Sequence, residues 1–434
     1  MRYRPSRAFL ICMVPMLATG AAGAWAWNKA TSVPNEIRAK QDFFKAVAYK
    51  KPWTYDMPDE VVREQTRQAT EEMLAKLYAE FPAMKGESHP VPDDENGFLL
   101  LHQLSGAPHR TGPPVSPELR KLLNDPSIPW DAAQAKRLLE ENAEVVARIE
   151  RIAALKTRSS DRMPRDYGGF IGARAAKTSA DILLMKARLA AEAKDEPEVL
   201  RLINATQNLG SHFREVETPN LLGETVTILI DLSVRHAVFD SLLPAFGRDA
   251  DLPKWKTALV HRSYGPAPFA KVMRGEWETT ARYYLLPGIL RPKHPDNPPD
   301  AEALARYQTS CFNTMITRMS GLGMAEFLTD PGLGEPRGEH LSKRSREILN
   351  MLWIGSRAWA KGYVRAASTL DQYQAALELL ESEKQGATLA SGPLAGATRD
   401  PLGGEPYLFD AATRTVSGPP AALKAEVKPI RLPW

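Results

Sequence analysis

The residues best placed to do chemistry fall in one stretch, "NLLGETVTILIDLSVRHAVFDSLLPAF", residues 220 to 246. Apolar residues occupy nearly every position, so a helix here must be surrounded by others, and any charge on it is conspicuous. Glu224, Asp231 and Arg235 follow at spacings of seven and four, on one stripe of that helix, and His236 precedes Asp240 by four. Burial in low dielectric moves a carboxylate or imidazole toward the titration range that a general acid or base needs. Together with Glu276 or Arg274 of a facing helix, these groups could form a buried acid/base site. The plainer alternative is an ion-pair network in which the charges satisfy one another, as buried charges must.

Other chemistries find less support. No two of the eight histidines are four apart, H-E-x-x-H is absent, and Cys12 lies in the N-terminal apolar run, leaving Cys311 alone in the folded part. Neither an internal disulfide nor a metal site follows from such a set, and no cofactor is expected. "GGFIGARAAKTS" fails as a phosphate loop because Ile171 and Ala176 hold the two glycine positions. Ser320 in "RMSGLG" fails as a nucleophile elbow because Arg318 replaces the first glycine. Cys311 reads as a small core residue, and the aromatics of "EILNMLWIGSRAWAKGYV" as packing anchors.

The elements that must position these residues are helices. Apolar periodicity predicts them over Asp59 to Phe81, Trp130 to Lys156, Ala173 to Ala193, Glu196 to Val216, Asn220 to Phe246, Ala267 to Leu286, Ala301 to Leu328 and within Glu339 to Lys384. Residues 82 to 117, rich in Pro, Gly, Asp and His, read as a long irregular connection. Short links between long helices force antiparallel packing, so the expected fold is mainly α: an irregular helical array or α-solenoid-like bundle. The expected divisions are a helical body over 59–290, a second helical part over 291–390 after a stretch with four prolines in ten residues, and a Pro/Gly-rich tail over 391–434. Helices on the two sides of that break are free to share a core.

At the N-terminus, Arg2, Arg4 and Arg7 precede 20 uncharged residues, "AFLICMVPMLATGAAGAWAW", enough as a helix to span a bilayer. Residues 1–27 therefore read either as a signal peptide cleaved after Ala24 or as an uncleaved membrane anchor with Trp25 and Trp27 at the interface. Residues 28–58 read as a juxtamembrane segment with one short helix, Glu36 to Tyr49. The chain is expected to be exported, with its C-terminal domain outside the cytoplasm or, if cleaved, periplasmic or secreted. Apart from those three arginines, 53 basic residues nearly balance 52 acidic ones, without the basic excess that nucleic acid requires.

The tail changes character. In "DPLGGEPYLFDAATRTVSGPP" the prolines stiffen turns, Gly403 and Gly404 permit positive φ, and "PYLFD" and "RTVSG" can pair as two strands across "AATR". A lone hairpin is marginal in water, so it is expected to cap the helical body, with Tyr407, Leu408 and Phe409 as its adhesive. Tyr407 and Phe409 are also the candidate residues for a partner strand at an open edge. With the leader, the helical body holding "GEWETTARYYLLPGI" and the late helix "QYQAALELLESEKQG", this tail resembles a loosely defined group of exported or anchored all-helical bacterial proteins that end in a D-P-x-x-G-x-P-Y hairpin. Asp400, Pro401, Gly404, Pro406 and Tyr407 carry that pattern. The tail is also similar to that of type II secretion major pseudopilins, with one extra residue before Pro406 and without the leader signature of that family. The resemblance implies an envelope protein and no particular activity. The functional expectation is a protein-interaction or scaffold module, with an envelope hydrolase beside the central helix, or a component associated with a secretion apparatus, as alternatives. The expected partners are the membrane, if the leader is retained, and another protein.

Overall fold

The computed structural model describes residues 60–434 except 88, 106–111, 162–170, 260–261, 292–296, 330–336, 353–355, 397 and 421–426. The leader or anchor over 1–27 and the juxtamembrane segment over 28–58 lie outside the described residues. Among the described residues no helix is long and apolar enough to cross a membrane.

The protein is mainly α, with a small antiparallel sheet near the C-terminus. The helices, in chain order, are α1 Glu60–Glu80, α2 Gly97–Leu104, α3 Pro117–Asn124, α4 Ala132–Glu141, α5 Ala143–Ala154, α6 Ile171–Glu192, α7 Glu196–Arg214 and α8 Leu221–Ala237. There follow α9 Leu243–Phe246, α10 Leu252–Ala258, α11 Pro266–Thr280, α12 Leu286–Leu290, α13 Ala301–Met319, α14 Met324–Thr329, α15 Lys343–Leu352 and α16 Ser356–Lys384.

Local chemistry sets most boundaries. Lys194 (φ 61) ends α6 in a left-handed turn whose N–H bonds to Ala191 O, while Asp195 N–H reaches Ala190 O. Asp195 then caps α7 by accepting from Glu198 N at 3.1 Å, with Pro197 in the first turn. The periodic run from Trp130 to Lys156, expected as one helix, breaks into α4 and α5 at Asn142. The Asn142 amide donates to Leu138 O (2.7 Å), taking a carbonyl that a continuous helix would use, and its oxygen accepts from Ser116 N (2.8 Å). α2 interrupts the stretch expected to be irregular. It is capped by Asn96 and buries Phe98, Leu99, Leu101 and Leu104.

Two of the long helices widen into a π-turn just before a Leu-Pro pair: Val238–Leu242 before Leu243-Pro244, and Ala281–Leu285 before Leu286-Pro287. Proline has no N–H and clashes with the carbonyl four residues back, and the wider turn relieves both problems without ending the helix.

Among the described residues two large apolar cores result, and α8 and α16 enter both. α8 sends Val226, Ile230 and Val234 into the first and Leu221, Ile228 and Leu232 into the second. α16 enters the second core with Tyr363, Val364 and Leu370 and the first with Tyr373, Ala376, Leu377 and Leu380. The Pro-rich stretch after residue 290 separates no core, because Leu304, Phe312 and Met315 of α13 pack in the same cluster as Phe269 and Trp277 of α11.

The tail forms four short strands, β1 Gly392–Pro393, β2 Leu408–Asp410, β3 Thr415–Ser417 and β4 Ile430–Arg431, in that order and antiparallel throughout. Phe409 pairs with Val416 in the hairpin, as the sequence pattern implies, but Gly392 and Ile430 line its two outer sides, so neither hairpin edge is open. The sheet sits on α16: Gln372 donates to Val416 O (2.6 Å) and Lys428 O (3.0 Å), and Tyr407 OH donates to Ser368 O (3.0 Å). The D-P-x-x-G turn is organised by buried Asp400, which accepts from Ser368 Oγ (3.0 Å), Leu402 N (3.1 Å) and Gly403 N (3.3 Å).

Gly275 is the tightest backbone approach between α11 and the segment leading into α8: a Cβ there would lie 2.0 Å from Pro219 O. Gly275→Ala is expected to lower stability by about 3 kcal/mol, the upper end of the overpacking range, whereas Gly321→Ala, whose Cβ meets nothing closer than Arg318 O at 3.8 Å, should change it by less than about 0.5 kcal/mol. Urea unfolding of the two variants measures both.

Candidate functional site

The stripe on α8 faces the C-terminal half of α7, the segment after α10, and α16. Asp231 is wholly buried and Glu224 retains 2% exposure. Asp231 Oδ2 accepts from Arg262 Nε at 2.8 Å and from Tyr264 OH at 2.8 Å. Arg262 also donates to Ser211 Oγ (2.9 Å) and Gln207 O (2.6 Å) on α7. One side chain thus ties the segment after α10 to two helices. Burial disfavours the Arg262 charge, but the Asp231 carboxylate outweighs it and raises the pKa. Arg235, one turn after Asp231, donates to Gln207 Oε1 and to Asp231 O, both at 3.3 Å.

Glu224 is answered differently. Arg214 Nε lies 3.5 Å from Glu224 Oε2, an ion pair without a well-aligned hydrogen bond, and the Tyr363 hydroxyl faces the same carboxylate. Burial pushes the Glu224 pKa up, with Arg214 opposing. Arg214 is held by the Ser263 carbonyl and by the ring of Tyr264, 4.4 Å from its guanidinium carbon. Tyr363 of α16, in edge contact with Tyr264 at 5.3 Å, closes the cluster.

Of the residues singled out from sequence, the fold therefore brings Glu224, Asp231 and Arg235 together and leaves Glu276, Arg274 and His236 elsewhere. Glu276 on α11 accepts from Leu221 N (3.0 Å), capping the first turn of α8 from a neighbouring helix. Burial pushes its carboxyl to about 7, with the Leu221 N–H and the Thr280 hydroxyl holding it down. His236 lies edge-on to Tyr373 at 5.8 Å, and burial lowers its pKa while Asp240 opposes. Tyr407 and Phe409 are 0% and 3% exposed, so they fix the sheet to α16 and present nothing to a partner. Cys311 is half-buried, and burial raises its pKa. Such a thiol is not activated for attack.

Sequence reasoning missed Arg214, Arg262, Tyr264 and Tyr363. A signal for two of them exists in "HRSYGP": residues two apart in an extended segment project to one side, so Arg262 and Tyr264 reach the same carboxylate. Chemically, the cluster offers two closed carboxylates balanced by arginines. Among the described residues, no group of three or more His, Cys, Asp or Glu could hold a metal ion.

A different surface is open. A groove of about 310 Å³ runs between α3 with the loop after it, α6 and the end of α8, lined by Leu122, Leu123, Ile128, Trp130, Leu184 and Met185. Arg188 stacks over Trp130 at 4.1 Å, and the Trp130 indole N–H donates to Glu192, so the aromatic wall is fixed in place. No family model matches the chain, and no match to a curated protein or a solved structure was found.

Breaking one side of a buried ion pair leaves the other uncompensated, so Asp231→Leu or Arg262→Met alone should each cost about 3–5 kcal/mol. The double variant should recover most of that loss in denaturant unfolding. The titration of Glu276 and Asp371 sets a pH dependence. Burial raises both to about 7, Asp371 with the help of Asp400 and against Arg235. Folded pKa values above the unfolded ones give stability that is complete below the unfolded pKa and lost as pH rises through the folded pKa. Burial lowers His212 to about 4, an opposite effect confined to pH below the ordinary histidine range. From about pH 6.5 to 8.5 the histidine effect has passed and the loss of the Glu276 and Asp371 contributions continues. The melting temperature should fall across that window and fall less in Glu276→Gln, which keeps an acceptor for Leu221 N.

Proposed function

We propose that this protein is a non-catalytic helical module of the cell envelope that engages a protein partner. The observation that carries the reading is the closure of Glu224 and Asp231, at 2% and 0% exposure, each facing an arginine. A general acid or base must come within hydrogen-bond reach of its substrate, and these two carboxylates face protein on every side. Their pairing fits a role in fixing helix positions. The envelope part of the reading is supported by the three arginines and 20 uncharged residues at the N-terminus. The partner part is supported by the groove, an open concavity with an apolar floor and a rigid tryptophan wall, suited to the apolar face of an amphipathic helix of a partner protein.

The test places a photo-crosslinking residue at Ile128 in the groove and at exposed Val61 as a control, in the full chain expressed in its native cells. A discrete adduct from position 128, absent from position 61 and lost on Leu184→Arg, is expected. Purified protein that hydrolyses an envelope substrate, and loses that activity in Glu224→Gln without a change in melting temperature, would overturn the reading.

A further inference from the structure

The floor of the groove is one face of α6, and that face carries a symmetry of charge. Asp181, Leu184, Met185 and Arg188 line the groove from α6. Their spacing puts them on one stripe, and Lys177 and Glu192 extend it by a turn at each end. Asp181 and Arg188 lie equally far on either side of the midpoint between Leu184 and Met185, as do Lys177 and Glu192, and in each case the charges are opposite. A stripe of this kind is its own complement when turned end for end. A second α6, antiparallel across a two-fold axis through that midpoint, sets Asp181 against the partner's Arg188, Lys177 against the partner's Glu192, and Leu184 against the partner's Met185. An isologous interface requires such self-complementarity, and an apolar centre with a charged rim is its usual anatomy.

These charges are within reach of another molecule: the side chains of Asp181 and Arg188 are 30% and 39% exposed. Within the chain, Asp181 pairs with Lys177, and Arg188 lies 3.9 Å from Glu192, each pair one turn apart on the helix. Exposed pairs of that kind contribute little, and a carboxylate accepts from more than one donor, so contacts with a second copy can form beside them. Trp130, fixed by Arg188 and Glu192, stands beside this stripe, and tryptophan, methionine and arginine are enriched at protein interfaces. Asp125, the other charge in the lining, accepts from Ser127 N (3.0 Å) and Ser127 Oγ (2.6 Å) in its own loop. We propose that this face is a two-fold interface whose occupant is α6 of a second copy of the chain. The inference rests on the reading of the groove as a protein-binding face and names the protein that fills it.

The test is sedimentation velocity of the full-length protein over a concentration series. The wild type is expected to dimerise. Asp181→Arg and Arg188→Asp should each weaken dimerisation by about a hundredfold, because the two-fold axis doubles every like-charge contact. Mixed in equal amounts, the two variants should form a heterodimer, since arginine on one copy then meets aspartate on the other at both positions. Lys177→Glu mixed with Glu192→Lys should behave in the same way one turn farther out, and melting temperatures show that each variant is folded. A wild type that stays monomeric overturns the proposal. So do single variants that dimerise like the wild type, or folded variants that remain apart when mixed. Crosslinking from position 128 separates this result from that of the module reading. An adduct with the mass of two chains supports both, an adduct carrying a different protein from a monomeric wild type keeps that reading and overturns the dimer, and a monomer without an adduct overturns both.

Discussion

The Asp231–Arg262 pair is the constraint around which the helical body is arranged. A carboxylate at 0% exposure on a helix packed on all sides is tolerable only if a cation and hydrogen-bond donors meet it. Arg262 does so at 2.8 Å while its other two nitrogens bind Ser211 and Gln207 of α7. Tyr264, two residues on, reaches the same oxygen. The segment after α10 therefore has one position relative to α7 and α8, and with it the start of α11. A well-packed apolar set could give comparable stability. The ionic arrangement adds a single geometry, because a fork of fixed donors has few alternative acceptors.

That geometry propagates through α8, which faces both apolar cores. At its N-terminus, Glu276 of α11 receives the Leu221 N–H, and Gly275 beside it lets the two backbones come close enough for that contact. At its C-terminus, the π-turn over Val238–Leu242 carries the chain past Pro244 without releasing it from the first core, where Val238, Phe239 and Leu242 are buried. α16 spans the same two cores and holds the C-terminal sheet by way of Ser368 and Gln372. The tail is thus the last layer of the packing, with its hairpin flanked by strands on both sides.

The sequence carried the class of fold and much of the hairpin because both rest on local signals: helical spacing, the Asp195-x-Pro197 restart, and turn residues between two β-like runs. It identified α8 as central from its apolar surface, and Glu224, Asp231 and Arg235 as one stripe. What answered that stripe was hard to read, because Arg214, Arg262 and Tyr363 come from 10, 31 and 139 residues away; only the Arg262-x-Tyr264 spacing leaves a local trace, and it does not say which carboxylate it meets. Helix continuity was misread at Asn142, where a side chain bonded to Leu138 O and Ser116 N competes with the helix. α2 was missed because its eight residues follow a Pro- and Asp-rich run and give too short a period.

The proposed function rests on closure: the two central carboxylates are sealed from solvent and each faces an arginine, and in that proposal contact with a partner falls to the groove. Amide hydrogen exchange along α8 tests the central claim most directly. If the Asp231–Arg262 junction locks the two cores together, the amides of residues 226 to 235 should exchange only through global unfolding, with protection that rises and falls with overall stability in denaturant. Rapid exchange of those amides, independent of global stability, would mean that the junction opens to water in the native state and would contradict the account.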